Sequence, residues 1–180
     1  MQNPWKTISS KTLLENPWWE VRQDQIVRPD GSPGEYNIVV TTDSAFAVTI
    51  TEKNEFILIE QFRYISGKLS LEIPGGAIDH DDPLDSAKRE LREETGITAA
   101  TWTDLGAVLP ANGLVREKMH VFIAQDLDFT HEVPEQDEAI SRVLHISFPE
   151  VLELIKTNKL DDGQSITGIF MAALHLKLLG

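Results

Sequence analysis

From Trp18 to Tyr64 the chain alternates short apolar or β-branched runs with Pro, Asp and Gly punctuation. The runs EVRQDQIV, YNIVVTT, AFAVTITE and FILIEQFRY have the length and composition of strands, and Asp30-Gly31 and Lys53-Asn54 stand where turns should fall. After Leu71 the period changes. Asp82 suits a helix N-cap, Pro83 the first helical position, Asp85 a capping box and Gly96 a stop, so the pattern predicts a helix over Pro83–Thr95. Strands are expected again over Trp102–Leu109 and Lys118–Gln125, with the loop LPANG between them, and over Val143–Ile146. A helix should begin near Phe148-Pro149, and another should occupy Ser165–Leu179. Pro74-Gly75-Gly76 reads as a turn after an apolar run. No linker divides the chain, so one domain over residues 1–180 is expected. Asn-Pro-Trp occurs at 3–5 and again at 16–18, which is no repeat architecture.

Composition sharpens this. The chain has 180 residues, 29 acidic against 16 basic side chains, a net charge of −13 and no cysteine. A chain of this size buries roughly 70% of its unfolded surface and needs no disulfide or structural metal for its core. Zero Cys excludes thiolate ligands, iron–sulfur ligation and a cysteine nucleophile. The negative balance argues against a long nucleic-acid partner, whose phosphates must be met by Lys and Arg. The opening MQNPWKTISSK carries no uninterrupted apolar stretch, and no segment reaches about 18 consecutive apolar residues, so a cytoplasmic chain without a membrane partner is expected.

The charge is concentrated. Between Glu72 and Glu94 eight acids and three bases leave a net −5 within twenty-three residues. On a helical wheel Leu84, Ala87 and Leu91 form the stripe that should face the core, while Asp85, Lys88 and Arg92 point to solvent. Glu90 and Glu94 adjoin the stripe on neighbouring turns, and Glu93 lies within reach of Arg89. Like charges beside a buried face are costly unless they share a cation, and hard oxygen donors suit Mg²⁺ or Mn²⁺. The five histidines show no ligand spacing.

The stretch from the tandem glycines to Arg89-Glu90-Leu91-Arg92-Glu93-Glu94-Thr95-Gly96-Ile97 resembles the Nudix box, G-x5-E-x7-R-E-U-x-E-E-x-G-U with U aliphatic. Its second half matches at every specified position; in its first half Asp81, counted from Gly75, or Asp82, counted from Gly76, stands in place of Glu. The resemblance implies an α/β (α+β) fold in which a mixed β-sheet is sandwiched between helices, with the box as loop-helix-loop. An N-terminal antiparallel sheet over about residues 1–42 would contribute to a homodimer interface. It also implies hydrolysis of a nucleoside diphosphate linked to another moiety, with Mg²⁺ as cofactor and Mn²⁺ as a possible substitute. Glu90 and Glu94 would be the main metal ligands, with Glu93 and the carbonyl of Gly75, and Arg89 would orient the helix.

Outside the box, Glu60-Gln61-Phe62-Arg63-Tyr64 and Leu71-Glu72-Ile73-Pro74-Gly75-Gly76 are similar to the corresponding segments of ADP-ribose and nucleoside diphosphate sugar pyrophosphatases. That likeness implies that Arg63 contacts a phosphate or the distal sugar, and Glu72 a sugar hydroxyl or the helix loop. It places Gly113, in PANGLVR, on a substrate loop. It makes Glu138 a catalytic acid that also joins the metal shell, with Glu135 the alternative, and Trp19 a stacking partner for the base. Asp161-Asp162-Gly163-Gln164-Ser165, opening the last helix, is also seen in such enzymes. A nucleotide sugar is therefore the expected partner. Hydrolysis of a dNTP, a dinucleoside or NADH, and a nucleotide-sensing module without turnover, are the alternatives.

Overall fold

The computed structural model describes residues 3–79, 82–129 and 139–179. In chain order the elements are β1 (Lys6–Glu15), β2 (Trp19–Val27), β3 (Pro33–Thr41), β4 (Ser44–Ile50), β5 (Glu55–Arg63), β6 (Lys68–Glu72), β7 (Gly75–Ala77) and α1 (Pro83–Thr95). They continue with β8 (Ile97–Val108), β9 (Val115–Arg116), β10 (Met119–Phe129), β11 (Ile140–Ser147), α2 (Phe148–Lys156) and α3 (Gly163–His175). The chain forms two compact units, Met1–Asp43 with Leu109–Lys118, and Ser44–Val108 with Met119–Gly180.

The first unit is a sheet in the order β1-β2-β3-β9, antiparallel except for the parallel β3–β9 pair. Both Asn-Pro-Trp copies make the same Asx turn just before a strand. The Asn3 side-chain oxygen accepts the Trp5 N–H at 3.0 Å, and that of Asn16 accepts the N–H groups of Trp18 and Trp19 at 2.8 and 3.0 Å. β1 is exposed along its whole length. With no buried face it has no period-two hydrophobic signal, which is why the sequence pattern does not reveal it.

The second unit is built on a sheet ordered β11-β5-β4-β10-β8, with β6 paired to β5 and β7 to β4. Only β4 and β10 run parallel within it. The strand AFAVTI divides its side chains by size between the two faces. Phe46, Val48 and Ile50 enter one core with Phe148 and Val151 of α2 and Ile169, Ala172 and Ala173 of α3. Ala45 and Ala47 face the other way, against Ala87 and Leu91 of α1. Helices therefore cover both faces, and central strands buried on both sides read as continuous apolar runs, as FILI does in β5. Among the described residues no helix is long and apolar enough to cross a membrane.

Helix α1 has the expected boundaries. Asp82 is extended, at φ −63° and ψ 143°, and its carboxylate accepts the Leu84 N–H at 2.9 Å. Gly96 takes the left-handed conformation at φ 68° and donates its N–H to the Arg92 carbonyl at 2.8 Å. Three expectations are corrected. Gly75–Ala77 is a short strand paired with β4 rather than a plain turn, because glycines without side chains allow the close approach. β8 begins at Ile97, before Trp102, since its long pairing with β10 starts there. α3 ends at His175 rather than Leu179, where Lys177 adopts a positive φ of 58°.

Capping and core burial should contribute unequally to α1. Asp82→Ala is expected to cost about 1 kcal/mol in urea unfolding, and Leu91→Ala, at a fully buried position, about 2–5 kcal/mol; equal losses would contradict this account.

Candidate active site

The carboxylate face of α1 lies against the sheet as the wheel predicts. Glu90 and Glu94 are only 7% and 3% exposed, Glu93 is half-buried, and Asp85, Lys88 and Arg92 face solvent. Each buried carboxylate has a partner. The Glu90 Oε1 lies 2.8 Å from Arg89 Nη2, while Arg89 Nη1 donates to Glu93 Oε2 at 2.9 Å, so one guanidinium spans two acids. Burial works against the charge on Arg89, but Glu90 and Glu93 outweigh it and hold its pKa above the ordinary arginine value. The same guanidinium donates to the Ala77 carbonyl at 3.4 Å, tying helix to β7.

Glu94 is held by the backbone. The Ala47 N–H donates to the Pro74 carbonyl at 2.8 Å. This makes Phe46–Gly75 the non-hydrogen-bonded pair of the β4–β7 ladder, with N–H and C=O of Gly75 turned away from β4. That N–H donates to Glu94 Oε2 at 2.8 Å. Gly76 lies directly under Glu90: a Cβ there would stand 2.8 Å from the Glu90 carboxylate carbon and would displace that side chain. The sequence reading singled out Gly75 and missed Gly76; the tandem glycine was the available signal.

Arg63 and Glu72, read separately in the sequence, form one pair. Arg63 Nε donates to Glu72 Oε1 at 2.8 Å, and a second bond joins Arg63 Nη2 to Glu72 Oε2. Hydrogen bonding to Glu72 raises the Arg63 pKa; burial opposes this, and the Glu94 and Asp162 carboxylates add to the rise. Glu72 is buried, whereas the Arg63 side chain is 47% exposed. Asp82 is engaged as the α1 cap. Trp19 and Gly113 belong to the N-terminal unit, where the Gly113 carbonyl accepts the Tyr36 hydroxyl at 3.3 Å. Asp81, Glu135 and Glu138 lie outside the described residues.

A family model described as the NUDIX domain matches residues 40–167, and one described as the nucleoside diphosphate sugar hydrolase N-terminal domain matches residues 5–39. The chain belongs to the NUDIX family. It is 27% identical over 166 residues to an ADP-ribose pyrophosphatase of Bacillus subtilis (strain 168), covering 91% of this chain and 90% of that one. It is 32% identical over 128 residues to a GDP-mannose pyrophosphatase of Yersinia enterocolitica, covering 66% of each. A crystal structure of an ADP compounds hydrolase shares the fold, with a TM-score of 0.85 at 21% identity over 98% of this chain and 96% of the other.

NUDIX ADP-ribose pyrophosphatases use a divalent metal, and the donor set here fits one. Glu90, Glu93 and Glu94 offer hard oxygens on adjacent turns, with the Glu90 carboxylate packed closely over the side-chain-free Gly76. Among the described residues no three Asp, Glu or His side chains are gathered for a metal as they stand. Arg89 and the Gly75 N–H occupy carboxylate oxygens that would have to turn towards a cation.

Removing Arg63 strands a buried carboxylate. Arg63→Ala is expected to cost about 2 kcal/mol, and an Arg63→Ala, Glu72→Gln double variant to recover part of it; strict additivity in a double-mutant cycle would show that the pair contributes nothing.

Proposed function

We propose that this NUDIX protein hydrolyses the pyrophosphate bond of a nucleoside diphosphate sugar of the ADP-ribose type. The products are a nucleoside monophosphate and a sugar phosphate, and Mg²⁺ is the cofactor, with Mn²⁺ able to substitute. The observation that carries this reading is the packing of Glu90, Glu93 and Glu94 beside Gly75 and Gly76. Relatives named for ADP-ribose and GDP-mannose pyrophosphatase activity support the substrate class. So does the match of residues 5–39 to the nucleoside diphosphate sugar hydrolase N-terminal domain.

Glu90 and Glu94 would hold the cation, with Glu93 and the Gly75 carbonyl completing its protein ligands. A divalent cation bound there neutralises pyrophosphate oxygens and lowers the pKa of the attacking water. The chain's own residues answer these charges while no cation is bound. Arg89 pairs with Glu90 and Glu93 together, and the Gly75 N–H bonds Glu94, partners that give up carboxylate oxygens when a cation binds. Arg63, held by Glu72 yet half exposed, presents positive charge to an anionic substrate in a chain whose net charge would otherwise repel it. Glu138, with Glu135 as the alternative, is the proposed acid–base group that takes the proton from water. Trp19 is proposed to stack on the base and Gly113 to line the substrate loop.

Glu94→Gln should lower turnover of ADP-ribose roughly 100-fold or more with the fold intact, and chelation with EDTA should abolish hydrolysis. Chromatographic product analysis tests both, and unchanged product formation in either case overturns the reading.

A homodimer formed through the N-terminal sheet completes the proposal. β1 is an edge strand, and Ile8, Leu13, Leu14, Trp5 and Trp18 are 43–73% exposed on or beside it. Such an uncovered apolar edge is a ready pairing surface. Sedimentation at micromolar concentration should give twice the mass of one chain; a single-chain mass counts against it.

A further inference from the structure

The four residues from Glu72 to Gly75 are each tied to a different element. Glu72 pairs with Arg63 at the end of β5, the Pro74 carbonyl accepts the Ala47 N–H of β4, and the Gly75 N–H reaches Glu94 of α1. The fourth tie comes from the opposite face of the sheet. The Ile73 N–H donates to the Ser165 hydroxyl of α3 at 3.0 Å, across 92 positions of sequence. Ser165 is fully buried and sits in the first turn of α3, where Asp162 caps its N–H at 2.7 Å. One turn later α3 carries Gly168. A Cβ at that position would lie 2.7 Å from Ile73 Cδ1 and 3.3 Å from Val48 Cγ2. Glycine is unfavourable inside a helix and calls for a packing reason, which Ile73 supplies. A hydroxyl and a missing side chain, three residues apart, thus seat α3 on one isoleucine.

We propose that Ser165, with Gly168 beside it, is a positioning residue for the carboxylate face of α1. Ser165 fixes the height of the Ile73 backbone, Pro74 transmits it with little freedom because its ring locks φ, and Gly75 meets Glu94 where that height places it. Helix α3 touches none of the three α1 carboxylates by this route, yet it sets the frame in which Glu94 is held. This inference rests on the hydrolase reading above only for its consequence in catalysis.

Three measurements test it. In hydrogen-exchange NMR of the native protein without metal, the Ile73 and Gly75 amides should be protected, and Ser165→Ala should speed exchange at both; fast exchange at Ile73 in the native protein overturns the proposal. Mn²⁺ titrated by calorimetry should bind Ser165→Ala about tenfold more weakly than the native chain. In steady-state hydrolysis of ADP-ribose the same variant should lose kcat with little change in KM. A lowered Tm with unchanged Mn²⁺ affinity and unchanged Gly75 exchange would show that Ser165 only packs, and would overturn the proposal. Should Ser165→Ala fail to fold, Ser165→Cys replaces it, keeping a γ atom in the site, slightly larger and a poor acceptor. If the native chain binds no Mn²⁺ and hydrolyses no nucleoside diphosphate sugar, the hydrolase reading fails, while the exchange measurement still decides the positioning role.

Discussion

Glu90 and Glu94 can lie against the sheet because β4 meets α1 with the small side chains of Ala45 and Ala47, and because the strand beside it begins with two glycines. The rest of the site follows from this close approach. A Cβ at Gly75 would run into Phe46 and the Ala45 carbonyl at 2.5 and 2.6 Å, and one at Gly76 into the Glu90 carboxylate. A side chain at Gly75 would therefore press on β4 itself, and one at Gly76 would displace the Glu90 carboxylate from its place beside the strand.

Bringing carboxylates out of water is costly, and the structure offsets the cost locally. Arg89 is shared by Glu90 and Glu93, and Glu94 takes a backbone N–H. These partners stabilise the charges in place, so the carboxylates stay ionised against the sheet. The same logic applies to Glu72, buried but answered by a guanidinium that stays half in solvent. A net charge of −13 is thus a weak guide to local potential, since carboxylate and guanidinium are balanced within a few ångströms of one another at Arg89 and Arg63.

The opposite layer of the molecule belongs to the same design. α2 and α3 bury the large side chains of β4, Phe46, Val48 and Ile50, while α1 covers its small ones. A strand so divided lets one helix pack for stability and another approach closely enough for chemistry, and residues 72–75 lie between the two.

The sequence by itself determined α1, from its Asp82 cap to its Gly96 stop, which face it buries and which acids flank that face. Those properties arise from capping and from a period of 3.6, which act within a few residues of one another. The apolar runs of β4 and β5 were legible for the same reason. Tertiary structure alone decided what had no local signal. β1 has no buried side to give a pattern, and β6, β7 and β9 are strands only because partners lie beside them. The contacts that organise the site span larger separations, 9 residues for Arg63–Glu72, 19 for Gly75–Glu94 and 92 for Ile73–Ser165. No periodicity reports such pairs, because each exists only once the sheet has brought its strands and helices together.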